Sequence, residues 1–150
     1  MKRAASSLCL VVVTLFLAGC SIPNFEQPEC TEARDVVREF YSFHLANDMR
    51  FTPQNLEQRQ KFFTPGYYKV LSGVGSSSDF DLFTGTSDYP KAFRIGECQV
   101  IGSGKQATFE VLLFWKTDFR SEQRSVFVTT EKVGAKYLIA NVSEFRDAGP

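Results

Sequence analysis

The chain has 150 residues, 17 basic and 17 acidic side chains and a single histidine, with 15 phenylalanines and five tyrosines. That length suits one domain with a real core, and the balanced, interspersed charge carries no basic stripe of the kind nucleic acid requires. One histidine excludes a His-rich metal site.

Taken in chain order, Lys2 and Arg3 open an apolar run, Leu8 to Leu17, that is too short to span a bilayer comfortably and ends in Leu17-Ala18-Gly19-Cys20. Residues 1–19 therefore read as a signal peptide. A core helix or a single membrane anchor are the other readings of that run. Both are disfavoured by the flanking charges, the extreme N-terminal position and the shortness of the apolar stretch.

Leu17-Ala18-Gly19-Cys20 resembles the lipobox of bacterial lipoproteins. The resemblance implies cleavage before Cys20, acylation of its sulfur (palmitate or similar) and a membrane anchor; two or more chains hold a protein stably. Ser21, in place of aspartate after the lipid-bearing cysteine, implies the outer membrane, with the domain facing the periplasm. Residues 20–30, with Pro23 and Pro28, read as a lipidated tether, and 31–150 as a single domain. The mature part, about 130 residues, loses two basic residues and no acidic ones, giving a net charge of −2.

With Cys9 removed and Cys20 acylated, Cys30 and Cys98 remain. In an oxidising compartment the favoured reading is a disulfide joining the start of the first helix to the sheet, with two buried thiols or a metal pair as alternatives.

Thr31 reads as an N-cap of a helix running to about Asn47, because Ala33, Val36, Val37, Phe40, Tyr41 and His44 share one side at 100° per residue. Thr52-Pro53 and Thr64-Pro65 repeat a cap-then-proline signal, predicting helices near 53–63 and 65–72. Gly73 to Ser78 reads as a loop, and Asp79 to Tyr89 as a structured loop packed on the fold. Four strands follow, Phe93 to Ile101, Ala107 to Thr117, Arg124 to Lys132 and Tyr137 to Phe145, with Asp118 to Glu122 as a longer turn. Short connections imply antiparallel pairing, and apolar residues on both faces of the second strand imply cover on both sides. The fold class is α+β, with N-terminal helices packed on a curved antiparallel sheet of about four strands.

Val37-Arg38-Glu39-Phe40-Tyr41, Phe63-Thr64-Pro65-Gly66-Tyr67-Tyr68 and Asp79-Phe80-Asp81-Leu82-Phe83 resemble a family of small bacterial envelope proteins. Their fold is similar to the cystatin-like cone of nuclear transport factor two (NTF2-like) and SnoaL-like proteins. The resemblance implies a cone over roughly residues 31–146, with a pocket between the long helix and the sheet. Such cones host enzymes, ligand carriers and protein-binding modules alike.

His44 falls on the apolar stripe and would point at that pocket. It is a candidate general acid or base, with Tyr41 or a loop aspartate as helper. The favoured reading is a buried imidazole satisfied by a backbone carbonyl or a tyrosine hydroxyl, since sequence spacing supplies no orienting carboxylate. Asp79, Asp81 and Asp88 gather hard oxygen donors in one loop and are candidate calcium ligands. The spacing departs from the EF-hand pattern, so turn-stabilising side-chain bonds are favoured instead.

No nucleophile elbow, phosphate-cradling loop or paired zinc ligands occur, and no cofactor is implied. The expectation is a membrane-tethered, non-catalytic binding module for a protein partner or a small apolar ligand, an inhibitor or immunity-type role being one version. An enzyme using His44 and a structural accessory of an envelope machine are the alternatives.

Overall fold

The computed structural model describes residues 26–75 and 80–144. The lipobox, Cys20, Asp79 and Phe145 lie outside them, and no helix among the described residues is long and apolar enough to cross a membrane.

Helix α1 spans Pro28–Ala46. Pro28 starts it because its missing N–H and fixed φ suit the first helical position. Thr31 is therefore inside the helix and not its cap, its own N–H already bonded to Gln27 O at 3.1 Å. The expected tether through residue 30 is likewise shortened, since Pro28 to Cys30 are helical. Cys30, Ala33, Val37, Phe40, Tyr41 and His44 are all buried along one side, as the stripe requires.

Helix α2, Pro53–Arg59, passes into a 3-10 turn at Gln60–Phe62, and helix α3 spans Pro65–Ser72. Thr52 and Thr64 cap them through side-chain oxygens that accept from Asn55 N and Tyr67 N, each at 3.2 Å.

Strands β1 (Ala92–Ile101), β2 (Gln106–Thr117), β3 (Arg120–Val133) and β4 (Lys136–Ser143) form one antiparallel meander in sequence order. The chain is thus α+β, with three helices ahead of a four-stranded curved sheet. β3 begins at Arg120, so the turn before it is the pair Asp118–Phe119 and not the longer loop expected from sequence. What extends the hairpin is side-chain pairing along one face: Arg120 and Arg124 both engage Glu122, and both guanidiniums lie over the Trp115 ring at 5.6 and 5.7 Å. Phe119 at the tip is fully exposed.

On β2, Ala107, Phe109, Val111, Leu113 and Trp115 face the core beneath the helices. The opposite face was expected to be covered as well. It carries Thr108, Leu112 and Phe114, and although Leu112 is buried it stands outside the core cluster.

Residues outside the sheet meet each of its edges at a few points. On β4, Phe63 bridges to Ile139, Thr64 N donates to Ile139 O at 2.9 Å, and Val142 N donates to the Tyr67 hydroxyl at 3.2 Å. On β1, the Arg34 guanidinium donates to Ile95 O and Gly96 O at 3.4 Å, at the bulge between Ile95 and Cys98. The disulfide Cys30–Cys98 pins the first turn of α1 to that bulge, with the two Cα atoms 5.9 Å apart.

Candidate functional site

His44 lies at the C-terminal end of the buried face of α1, where an apolar stripe ends in one polar ring. Phe40, one turn earlier, stacks on it with ring centroids 5.5 Å apart and planes within 7°, and Phe83 meets it edge-on at 5.2 Å. Phe40 also touches Phe62, Phe63 and Phe83, so the imidazole sits at the border of an aromatic cluster.

The segment from Asp81 to Asp88 supplies the partner that sequence spacing could not. His44 Nε2 is 2.7 Å from Asp81 Oδ2, and Arg59 Nε donates to His44 Nδ1 at 2.9 Å. An arginine N–H can only donate, so Nδ1 is the acceptor and the proton resides on Nε2, directed at the carboxylate. The imidazole is thereby held in the neutral tautomer, bridging a guanidinium and a carboxylate.

Each end of this triad is anchored further. Arg59 donates to Asn55 O and to Asp48 O, both at 2.7 Å. Burial lowers its affinity for the proton, and the charges of Asp81 and Asp48 oppose that shift. Asp81 accepts from Thr84 Oγ1 at 2.8 Å and from Phe83 N at 3.0 Å. Further along the loop, Thr86 Oγ1 donates to Asp88 O at 2.6 Å, which also receives Trp115 Nε1–H at 2.8 Å, while the Thr84 and Thr86 hydroxyl oxygens lie 3.3 Å apart with both their protons already donated. Hydrogen bonds thus join α2 to α1 and to the 80–91 loop through His44, and the same loop to β2 through Asp88 O.

The chemistry open to this cluster is limited by access. The side chains of His44 and Asp81 are 1% and 0% exposed, and Arg59 is 2% exposed. A general base has to reach the proton it abstracts, and both ring nitrogens are already committed. Tyr41, the expected helper, does not bond to His44; its hydroxyl donates to Phe83 O at 2.8 Å. Burial, and secondarily the Asp81 charge, raise its pKa well above the ordinary phenol value.

The oxygens of Asp81 are taken by His44, Thr84 and Phe83 N, in the turn-stabilising role favoured from sequence. The Asp88 carboxylate pairs with Arg120. Among the described residues, the one grouping with metal-ligand spacing is Glu26 with Cys30 and Cys98, whose sulfurs are bonded to each other while Glu26 pairs with Arg34.

Arg59 escaped the sequence reading. Its signal is positional: it lies three residues after the buried Leu56, so a helical arginine sits on an apolar face.

Open clefts of about 320 and 350 Å³ reach the loop end of this cluster at Thr84 and at Thr86 with Asp88, and other cavities lie away from it. A small one of about 100 Å³ is bounded by Phe51, Leu56, Tyr68, Leu71, Ser72 and Val74. Two open clefts of about 670 and 640 Å³ flank Lys61 on the 3-10 turn.

No family model matches the chain, and no curated protein matches it by sequence. In structure it is similar to a chain of the type VI native effector-immunity complex Tae3-Tai3 from Ralstonia pickettii. The two are 15% identical, with a TM-score of 0.57 over 76% of this chain and 95% of the other. It is also matched by an Ntf2-like protein involved in plasmid conjugation, 13% identical, with a TM-score of 0.44 over 80% of this chain and 40% of that one. At such identities the first likeness shows a shared fold.

Proposed function

We propose that this chain is a non-catalytic binding module of the bacterial envelope, tethered to the outer membrane through lipid on Cys20, whose occupant is a protein. The observation that carries the reading is the sealed state of His44. The residue best suited to acid–base work is held in one tautomer between Arg59 and Asp81 inside an aromatic core. That spends the chain's imidazole on architecture and leaves the surface to carry the activity.

Support for a protein occupant comes from the fold shared with a chain of an effector–immunity complex. An inhibitor or immunity-type role is the finer version of the same proposal. Support for the tether comes from the lipobox residues Leu17 to Cys20 behind Lys2 and Arg3.

The test is affinity purification of the full chain from detergent-solubilised native membranes, beside the Cys20→Ser chain, with metabolic labelling by a clickable palmitate analogue. The expected result is one stoichiometric protein partner and a label that Cys20→Ser abolishes. Absence of a stoichiometric partner from both preparations would end the binding proposal, and labelling that survives Cys20→Ser would end the lipid proposal.

A further inference from the structure

Toward the tip of the β2–β3 hairpin, β3 outruns β4. The β3–β4 register ends at Phe127 opposite Ser143, while β3 continues to Arg120 paired with β2 alone. β1 likewise reaches β2 no further than Ala92 opposite Phe114. Among the described residues, no main-chain hydrogen bond reaches the β4 side of residues 120–126. The end of the hairpin is thus a two-stranded ribbon, a form that is marginal in water, and its open edge is a template for another strand.

The two open clefts at the 80–91 loop lie along that edge. Both are lined by Gly85 and Arg124; one adds Ser125, Val126 and Glu144, the other Asp88 and Arg120. Charge selects no occupant here, because Arg120 and Arg124 are already paired with Asp88 and Glu122, and Glu144 stands at the same wall. What selects one is the course of the chain.

Glu144, the first residue past β4, still keeps the β3–β4 register. The next pair after Phe127 and Ser143 is Val126 and Glu144, and Val126 faces the core beneath the helices. The Glu144 carboxylate lies on that same side, against Gly85 of the loop, where a Cβ built on the glycine would be 2.6 Å from Oε1. The chain therefore passes Ser143 running along β3, and the segment that follows begins where the open edge begins. No loop has to close, and a directly connected segment meets the edge at an effective concentration that a free strand would match only at millimolar levels or above.

Carrying the register on puts Phe145 opposite Ser125, Arg146 opposite Arg124 and Asp147 opposite Gln123. Ser125 lies between that first position and Leu112 of β2, on the face away from the helices, which Phe127 shares. A serine is small, so the ring of Phe145 fits over it toward Leu112 and beside Phe127. Arg146 meets a like charge in Arg124, with Glu144 beside it on its own strand to offset the repulsion.

We propose that residues 145–150 continue β4 along the open edge of β3, with Phe145 opposite Ser125, as a strap that stiffens the hairpin arm behind the exposed Phe119. The strap also keeps foreign strands off that edge. This inference stands apart from the binding-module reading and survives its failure.

The test is amide hydrogen exchange by NMR on the full chain in detergent, beside a chain ending at Glu144 and the full-length variant Phe145→Gly. Alternate amides between Arg120 and Val126 should exchange about tenfold more slowly in the full chain than in the shortened one. Phe145→Gly, which keeps the length and removes the ring, should speed the same amides and serves if the shortened chain does not fold. The Phe145 ring should also give nuclear Overhauser contacts to the Leu112 methyls.

Equal exchange of those amides in all three chains overturns the proposal. So does slow exchange without a Phe145–Leu112 contact, which would mean another register. Slow exchange that sets in only when a captured membrane partner is bound overturns it as well, since the edge would then belong to the partner's strand.

Discussion

Arg59 on α2 donates its Nε–H to His44 Nδ1 on α1 at 2.9 Å, and the far side of the same ring faces Asp81 at 2.7 Å. Two opposite charges are therefore buried without touching, separated by a neutral ring that bonds to both. Removing one end leaves the other charge in the core without compensation, which in proteins costs about 3–5 kcal/mol.

Arg59→Met and Asp81→Asn should each lower stability in urea unfolding by about 3 kcal/mol or more. The double substitution should cost clearly less than the sum, because the uncompensated charge is then absent. Additive losses would show that the two ends act independently.

Alkaline pH should unfold the protein earlier than its charge balance suggests. Burial raises Tyr67 to about 12, partly offset by the bond from Val142 N–H, and raises Tyr41 well above 10. For an acid whose folded pKa is raised, the stabilisation is complete below the unfolded value, about 10, and is lost as pH climbs toward the folded one. Tyr67 alone should therefore contribute about 2–3 kcal/mol that disappears between roughly pH 10 and 12. Tyr67→Phe should flatten this limb in denaturant titrations, and an unchanged slope would refute the assignment.

Reduction should loosen the fold. The Cys30–Cys98 bridge closes a separation of 68 residues, worth about 4 kcal/mol in the chain-entropy account and commonly 2–4 in practice. Cys98→Ser should lower the melting temperature by about 8–16 °C, taking about 4 °C per kcal/mol for a domain of this size. The oxidised chain should show neither cysteine reactive to an alkylating agent; labelled Cys30 or Cys98 would contradict the bridge.

Gly85 should resist substitution. Its φ is +67°, and an added Cβ would lie 2.6 Å from Glu144 Oε1. The carboxylate can swing away, but the backbone strain stays, so Gly85→Ala should cost about 1–2 kcal/mol. Gly66→Ala, at a position where an added Cβ meets nothing within 4 Å, serves as the control. Equal melting temperatures for the two variants would remove the strain argument.

What could be read from the sequence followed from periodicity and caps. The stripe from Ala33 to His44, the Thr-Pro starts at 52–53 and 64–65, and the order of four strands depend on neighbours a few residues apart, so they were visible. Pro28 carries only half of the start signal of Pro53 and Pro65, a proline at the first helical position behind Gln27, which makes no side-chain cap, so the segment reads as tether. The first part of β3 was hidden because Arg120, Glu122 and Arg124 form a ribbon held by ion pairs and Trp115, with no apolar alternation to mark it.

The partner of His44 lay 37 residues away in a loop whose aspartates had equally good local uses. No spacing rule selects Asp81 from among Asp79, Asp81 and Asp88; only closure of the loop over α1 does.

The contacts at the edges of the sheet have a consequence for crowding. A strand whose outward N–H and C=O groups are free invites the same strand of another copy, and runaway stacking follows when copies are concentrated. Here Phe63, Thr64 and Tyr67 meet β4 at Ile139 and Val142, and Arg34 meets β1 at the Ile95 and Gly96 carbonyls, beside the bulge that the disulfide pins. Wherever copies are concentrated, these contacts and the bulge in β1 shorten the stretch of free edge onto which another copy's strand could pair.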